Sequence, residues 1–324
     1  MAKKKDIVVI DDVAEGAITE AKVYQTQSKF ARFMNRTGTG WLFMLPFLVL
    51  FVLFSVIPVL TSIRYCFTYY DLVRPAEWTG LENYRYMFID DDIFAIAFKN
   101  TFVLAILTGP TGYILSFFFA WVINNLKYKS FWVLAFYTPT MVSGTAIGII
   151  WMVLFDGSRL GYLNYALLRL GLIAEPIAFT ATKGWIIPII IIISLWSSLG
   201  GNFLIFFAGL QNVRKELYEA AAIDGIENSY QELWYITLPM MKPQLLYTAI
   251  TSITGAFGVG AICTTVAGNP SPDYCVHTLS LHIGDYSGAR LELGYACALS
   301  LVMFFITFIL GKVTMKFLSS KDEL

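Results

Sequence analysis

The stretch WLFMLPFLVLFVLFSVIPVLTSI, residues 41–63, contains no charged side chain. A helix needs about 20 apolar residues to cross the hydrocarbon core of a bilayer, so this stretch is long enough to span a membrane. It lies in the first of several uncharged runs of comparable length. These runs are residues 37–63, 100–126, 130–155, 184–213, 243–272 and 293–311.

The composition supports a membrane protein rather than a large soluble helical protein. Of the 324 residues, 57% are hydrophobic and only 14% are charged. A soluble protein would carry charged residues on the outer face of each helix, at helical spacing, and the six runs carry none. We therefore predict an all-α polytopic membrane protein with six transmembrane helices.

The distribution of lysine and arginine predicts the orientation. With a cytoplasmic N-terminus, 15 of the 23 basic residues lie on the cytoplasmic side, as the positive-inside rule requires. The sequence thus predicts a cytoplasmic tail at residues 1–36, a six-span transmembrane domain at 37–318 and a short cytoplasmic tail at 319–324. Within the domain, residues 211–243 form a cytoplasmic loop. Membrane lipid is the expected surrounding, and no nucleic-acid partner is predicted.

Neither the last four residues nor the cysteines change the prediction of a membrane protein. The chain ends in Lys-Asp-Glu-Leu, but a retrieval receptor reads that signal in the lumen, and this tail is predicted to be cytoplasmic. The four cysteines show no Cys-x-x-Cys spacing. Isolated apolar cysteines are the favoured interpretation, with a bridge between Cys263 and Cys275 as the alternative.

The sequence indicates no catalytic or metal centre. The two histidines, His277 and His282, are five residues apart in a loop where Asp285 could add a third ligand. Helical metal ligands favour spacings of three or four, so two solvated loop histidines are predicted instead. The chain also contains neither Gly-x-Ser-x-Gly nor a phosphate-binding loop, so any ATP must be bound by another subunit.

The polar segment ELYEAAAIDGIENSYQELWYITLPMMKP, residues 216–243, predicts an elbow of two short helices. The first helix should end near Ile223, because Gly225 accepts a positive φ without steric cost. A second helix should start near Asn228, and the prolines at the end of the segment should break the backbone before the fifth span. Acidic rather than basic residues dominate the first helix, which favours a protein partner over a membrane-surface helix.

The residues of this elbow resemble the cytoplasmic loop of bacterial ABC importer permeases. That loop reads Glu-Ala-Ala, three residues, Gly, about nine residues and Ile-x-Leu-Pro. Here Glu219 begins the motif, Gly225 follows, and ten residues rather than nine precede Ile236, with Ile226 in place of the usual small residue. The resemblance implies that the loop docks into the ATPase. The implied coupling residues are Glu219, Ala220, Ala221, Asp224, Gly225, Leu238 and Pro239.

The resemblance extends over nearly all of residues 38–318 and is closest to carbohydrate permeases of the maltose and multiple-sugar type. It implies the type I ABC importer permease fold and a bacterial cell-membrane location. The implied partners are a second homologous permease, two ATPase subunits and an extracytoplasmic sugar-binding protein. No cofactor is expected in this chain, because the ATPase subunits bind ATP and magnesium.

Small and polar residues on the fourth and fifth spans predict a path for a neutral sugar. A sugar needs hydroxyl, amide and aromatic groups together with room to pass. Close helix packing is the alternative explanation for small residues in membrane helices. The candidate pathway residues are Ser194, Trp196, Ser197, Ser198, Gly201, Asn202, Thr251, Thr254, Gly255 and Gly258.

Pro139 interrupts the third apolar run among Thr138, Thr140, Ser143 and Thr145, which predicts either a packing kink or a lining of the cavity.

No charged residue lies deep within any run, which argues against ion-coupled transport. The rival hypotheses are a stand-alone secondary transporter or channel for a neutral polar solute, and a membrane-embedded enzyme. Co-purification of an ATPase would separate them from the importer.

Overall fold

The computed structural model describes residues 39–142 and 144–318, which divide after Thr61 into two units. The predictions for residues 1–36, for Ser143 and for residues 319–324 lie outside the described residues.

Helices make up most of the described chain. In chain order the α-helices are α1 Thr39–Phe51, α2 Ile57–Tyr65, α3 Glu82–Arg85, α4 Asp92–Asn124, α5 Lys129–Met141, α6 Gly144–Leu154, α7 Tyr162–Arg169, α8 Lys183–Ser198, α9 Gly201–Asn212, α10 Lys215–Ile223, α11 Ser229–Glu232, α12 Leu238–Met240, α13 Lys242–Phe257, α14 Gly260–Ala267, α15 Leu279–Gly284 and α16 Leu293–Leu318. The π-helical segments are Val52–Val56, Tyr86–Asp90, Leu233–Thr237 and Asp285–Ala289, and a 3-10 turn covers Pro272–Tyr274. Two short antiparallel strands, which the sequence does not predict, are β1 Thr68–Tyr69 and β2 Glu77–Trp78.

Six apolar helical stretches correspond to the six uncharged runs. Within the described residues, the stretches that are each long and apolar enough to cross a membrane are Phe43–Tyr65, Asp92–Asn124, Lys183–Asn212, Lys242–Ala267 and Leu293–Leu318. A sixth span forms if Lys129–Met141 and Ala146–Leu154, which are bent by 103°, act as one. The protein therefore has the all-α polytopic membrane fold that the sequence predicts.

The described part of the first unit contains α1, the π-helical segment Val52–Val56 and the first residues of α2. Pro58 has no backbone N–H, so it leaves the carbonyl of Phe54 without its usual donor one turn later. The backbone widens into the π-helical segment just before this proline, and Ile57 N donates to Val52 O across five residues. A single proline thus accounts for the local change of helix type.

The second unit is built around α4, which begins eight residues before its uncharged run. The carboxylate of Asp91 accepts hydrogen bonds from Ile93 N and Phe94 N, both at 3.0 Å, and so caps the helix. Further along, α4 packs against α9 and α13, and α13 also packs against α16. The ring of Phe206 on α9 meets the edges of Tyr113 and Phe117, with centroids 5.3 Å apart.

The cysteines lie in apolar surroundings. All four belong to the described part of the chain and all are free thiols. Cys263 and Cys275 share one buried cluster with Leu104, Ile186 and Ile190, so the alternative of a bridge between them is not realised.

Gly200 allows α5 to approach the junction between α8 and α9. A Cβ atom at Gly200 would overlap the Thr140 hydroxyl and would lie 3.1 Å from Thr140 Cβ and 3.2 Å from Thr140 N. A Cβ atom at Gly201 would meet no heavy atom within 4 Å. Two adjacent glycines therefore differ sharply in the space available to them.

Gly200→Ala should lower the free energy of unfolding by about 1–3 kcal/mol, because Thr140 or its backbone must move. Gly201→Ala should change it by less than about 0.5 kcal/mol. Thermal unfolding of the purified protein in detergent measures both. Equal unfolding midpoints for the two variants would contradict this packing.

Candidate functional site

Two helix breaks flank an internal cavity in the second unit. The fourth span is interrupted between α8 and α9, at Leu199 and Gly200, and the fifth between α13 and α14, at Gly258 and Val259. A cavity of about 220 Å³ lies beside these breaks. It is lined by Thr108, Gly109, Ser194, Ser197, Ser198, Asn202, Thr251, Ser252, Gly255, Ala256, Gly258, Val259 and Ile262.

Polar groups in the cavity form a partly satisfied network. Asn202 Nδ2 donates to Ser252 Oγ at 2.8 Å, and Thr251 Oγ1 donates to Asn202 Oδ1 at 3.1 Å. This pair of bonds fixes the orientation of the Asn202 amide. Ser194 Oγ and Ser197 Oγ are buried without a hydrogen-bond partner among the described residues. Buried hydroxyl groups are normally paired, so these two are available to a ligand.

The structure brings most of the predicted pathway residues together. The predicted residues that line the cavity are Ser194, Ser197, Ser198, Asn202, Thr251, Gly255 and Gly258. Trp196 instead packs edge-on against Trp151, with ring centroids 5.5 Å apart. Gly201 begins α9 outside the lining. Thr254 is exposed, and its hydroxyl donates to Ile250 O.

The second span also contributes to the cavity lining, which the sequence patterns above did not predict. Thr108 and Gly109 on α4 line the cavity, as does Ser252 on α13. A signal was present, because small residues recur along α4 at helical spacing. They are Thr101, Ala105, Thr108, Gly112 and Ser116.

Pro139 lies within α5 rather than at the break of the third span. It is buried, the helix continues to Met141, and Val142 is extended. The hydroxyl of Thr138 donates to Leu134 O within the same helix. Neither Pro139 nor its neighbours Thr138 and Thr140 are among the residues that line the cavity of about 220 Å³, so the structure gives no support to the lining alternative there.

The predicted elbow is present, with Gly225 at its turn. Asp224 N donates to Ala220 O at 3.0 Å and Ile226 N donates to Ala221 O at 3.0 Å, which closes α10. Between them Gly225 has a φ of +94°. This left-handed conformation favours glycine, because a Cβ atom would clash with the local backbone.

The second arm of the elbow leads directly into the fifth span. Asn228 accepts a hydrogen bond from Gln231 N at 2.9 Å and caps α11. The predicted backbone break at the two prolines takes a different form: Pro239 lies in the first turn of α12 and Pro243 in the first turn of α13. At Pro243 the missing N–H would have no helical partner, so this proline begins a helix. Pro239 instead follows the π-helical segment Leu233–Thr237, as Pro58 follows Val52–Val56. Leu238 is the first residue of α12.

A hydrogen bond joins the two arms. The hydroxyl oxygens of Tyr218 and Thr237 are 2.9 Å apart. Ala221 is only 7% exposed, and its predicted docking contact with the ATPase stays a prediction. Glu219 and Ala220 are exposed, and Ile223 is 88% exposed. These three residues form the exposed face of α10, together with the acidic end at Asp224.

A buried polar cluster lies at the N-terminal end of α4. Asp91 Oδ2 accepts hydrogen bonds from His282 Nε2 at 2.9 Å and from the Tyr295 hydroxyl at 2.6 Å. His277 Nε2 lies 3.1 Å from His282 Nδ1, and both histidines are 1% exposed. The prediction of two solvated histidines is therefore wrong, because their buried partner Asp91 lies 191 residues from His282 in the chain.

The electrostatics of this cluster are those of a buried carboxylate. Burial acts to raise the pKa of Asp91, but the hydrogen bonds from His282 and Tyr295 outweigh it, and the pKa falls to about 2. Burial lowers the pKa of His277 to about 4. Asp285 Oδ2 is 3.9 Å from His277 Nε2. Within residues 39–142 and 144–318, no group of three or more His, Cys, Asp or Glu side chains could hold a metal ion.

Asp91→Ala should lower the free energy of unfolding by about 2–5 kcal/mol, because it removes a helix cap and leaves two buried donors unpaired. Asp90 is exposed, so Asp90→Ala serves as the adjacent control and should stay within about 0.5 kcal/mol of the parent. Thermal unfolding distinguishes the two. A loss of similar size in both variants would contradict the buried cluster.

The fold has close structural counterparts. A chain of a bacterial ABC transporter involved in the import of the acidic polysaccharide alginate superposes with a TM-score of 0.76 at 20% identity, covering 89% of this chain and 97% of that one. A chain of the bacterial alginate ABC transporter in complex with an alginate pentasaccharide-bound periplasmic protein gives a TM-score of 0.74 at 19% identity, with coverage of 87% and 94%. At these identities the similarity shows the fold alone.

Several relatives are similar over most of their length. The lactose transport system permease protein LacF of Rhizobium radiobacter is 30% identical over 276 residues, covering 84% of this chain and 91% of LacF. The arabinooligosaccharides transport system permease protein AraP of Bacillus subtilis (strain 168) is 29% identical over 292 residues, with coverage of 88% and 90%.

The family model described as "Binding-protein-dependent transport system inner membrane component" matches residues 111–315, more than half of the chain. The matched segment contains the elbow and most of the cavity lining. The chain therefore belongs to this family of multi-pass membrane permeases of ABC importers.

Proposed function

We propose that the chain forms one half of the translocation pathway of an ABC importer whose solute is a carbohydrate. The observation that carries this proposal is the cavity, where hydroxyl groups and the Asn202 amide converge and none of the described lining side chains is charged. A neutral sugar both donates and accepts hydrogen bonds, so it suits the unpartnered hydroxyls of Ser194 and Ser197. The names of LacF and AraP support the carbohydrate class.

The proposed partners are a second homologous permease, two ATPase subunits and an extracytoplasmic sugar-binding protein. The family description supports a binding protein, as does a structural neighbour solved with a periplasmic protein. The sequence contains no phosphate-binding loop, which supports ATP and magnesium being held by the ATPase subunits. Most of the lysine and arginine residues, 15 of 23, lie in the segments on the same side as both termini, which supports cytoplasmic N- and C-termini.

The proposed coupling path runs from α10 to the cavity. The exposed face of α10 docks in the ATPase, where Glu219 makes a charge-assisted hydrogen bond to a basic group. The hydrogen bond between the Tyr218 and Thr237 hydroxyls transmits a displacement of α10 to the second arm of the elbow. That arm continues through α12 into α13, with only Met241 departing from helical geometry. Because α13 carries Thr251 into the cavity, movement of the elbow changes the shape of the cavity.

The rival hypothesis of a stand-alone secondary transporter receives no support from the cavity. Ion-coupled transporters place ionisable groups near the membrane midplane, and the cavity lining in the described residues has none. The family is a transport family, so the chain is a permease rather than an enzyme.

Thr251→Trp should reduce sugar uptake at least tenfold, because a large side chain fills the cavity. Thr254→Trp is the matched control on the same helix, because Thr254 is exposed and outside the lining. Uptake by cells that carry the complete importer measures both, and co-purification of the ATPase checks assembly. Equal loss of uptake in the two variants would show that the pathway is not restricted to this cavity.

Gly225→Val should uncouple ATP hydrolysis from transport, because a β-branched residue is strained at this φ. No heavy atom lies within 4 Å of a Cβ atom built at Gly225, so the strain is in the backbone alone. Gly225→Asn is the control, since asparagine tolerates the left-handed region better than other residues. The ratio of sugar imported to ATP hydrolysed should fall in the valine variant only. A parental ratio in Gly225→Val would refute the role of this turn.

A further inference from the structure

The segment between the fifth and sixth spans, residues 268–292, is attached to the start of the second span. We call this segment the outer loop, because the proposed orientation places it outside the cell. Asn100 Nδ2 donates to Tyr274 O at 2.7 Å and to His277 O at 3.1 Å. Leu279 N donates to Thr101 Oγ1 at 2.8 Å. The outer loop therefore moves with α4 as long as these bonds and the buried histidine cluster persist.

The hydrogen atoms in the cluster follow from its partners. The carboxylate of Asp91 only accepts, so His282 Nε2 must carry a hydrogen atom. A neutral His282 then has its lone pair on Nδ1, which accepts from His277 Nε2. The remaining ring nitrogen, His277 Nδ1, is left as a bare acceptor. It is buried and has no hydrogen-bond partner in the described part of the chain.

One added proton destabilises this ordered chain. A proton on His282 Nδ1 would face the hydrogen atom on His277 Nε2, so two donors would point at each other and the chain of hydrogen bonds would break. A proton on His277 Nδ1 would leave these bonds in place but would put a cation on a side chain that is 1% exposed. Because the cation is hydrated once the outer loop is released, this second event also favours release.

The groups that face the two histidines do not remove this conflict. Asp285 lies near His277, but Asn269 already donates to its carboxylate. Arg290 stacks over the Tyr286 ring and donates to its hydroxyl, and its charge opposes a further cation. The remaining titratable groups around the cluster are the hydroxyls of Tyr86, Tyr274, Tyr286 and Tyr295. A cavity of about 260 Å³, lined by His277, His282, Asp285 and Arg290 among others, adjoins the cluster.

We propose that Asp91, His282 and His277 are positioning residues for import, and that protons taken up from outside the cell release the outer loop and slow transport. In the neutral state their hydrogen-bond chain holds the outer loop against the second and sixth spans, through Asp91 and Tyr295 respectively. The proposal rests on the proposed function, because import is the process that the cluster controls. It concerns no residue of the sugar cavity or the elbow.

The test compares the parent with a His277→Gln/His282→Gln double variant. Glutamine keeps an N–H near the Nε2 position but does not titrate in this range. ATP-driven uptake of a labelled sugar into proteoliposomes is measured while the external pH is lowered from about 7.5 to 4, the value to which burial lowers the pKa of His277. The ratio of variant to parent uptake should then be at least about twice its value at pH 7.5, because only the parent carries the buried histidines that resist protonation.

A constant ratio at every pH would overturn the proposal. His282→Phe tests the positioning role separately, because it removes the donor to Asp91 as well as the titration. This variant should lower uptake at pH 7.5 at least about tenfold, on the scale of a buried charged hydrogen bond, while His282→Gln keeps uptake within about twofold of the parent. Equal uptake by both variants would show that the bond to Asp91 positions nothing.

Thermal stability tests the histidine cluster independently, even if the importer fails to assemble or to transport sugar. The unfolded chain takes a proton near the ordinary histidine pKa of 6.5, whereas folded His277 resists it down to about 4. The thermal midpoint of the parent should therefore fall as the pH drops through this window, and that of His277→Gln should fall less. Identical shifts would overturn the proposed role of the hydrogen-bond chain. If the parent imports no sugar at any pH but the midpoints differ, the proposed function fails and the role of the hydrogen-bond chain stands.

Discussion

Backbone N–H and C=O groups inside a bilayer must find partners within the protein, and this constraint shapes the whole molecule. Uninterrupted helices satisfy it by themselves, so the apolar spans are helical. The fourth and fifth spans are interrupted at Leu199–Gly200 and Gly258–Val259, and the adjoining residues Ser198, Gly258 and Val259 line the cavity. The irregular backbone therefore lies beside the space that is proposed to hold the transported sugar.

Helix α4 connects the three functional regions of the second unit. Its start carries Asp91, which holds the outer loop through His282. Its middle contributes Thr108 to the cavity, and Ala120 near its end packs in the cluster that also contains Met241, beside the elbow. One helix, which contains Pro110, therefore joins all three regions. The proposed coupling path through α13 reaches the same cavity.

The sequence predicted those features that depend on local chemistry. Apolar run length predicted the spans, and a glycine followed by two prolines predicted the elbow, because these signals lie close together in the sequence. Long-range contacts were not predictable in this way. The burial of His277 and His282 depends on Asp91, and Trp196 lies outside the cavity lining because it packs against Trp151. Helical spacing identified the cavity face in outline, but the neighbouring helices decide which of its residues are lining residues.

We expect this chain to import a carbohydrate only as part of an ATP-driven complex. The most direct test measures uptake of labelled neutral oligosaccharides into proteoliposomes, with the chain alone and with the second permease, the ATPase subunits and the binding protein. Uptake should require ATP and every one of these components. Uptake by the chain alone, driven by an imposed ion gradient without ATP, would contradict this expectation.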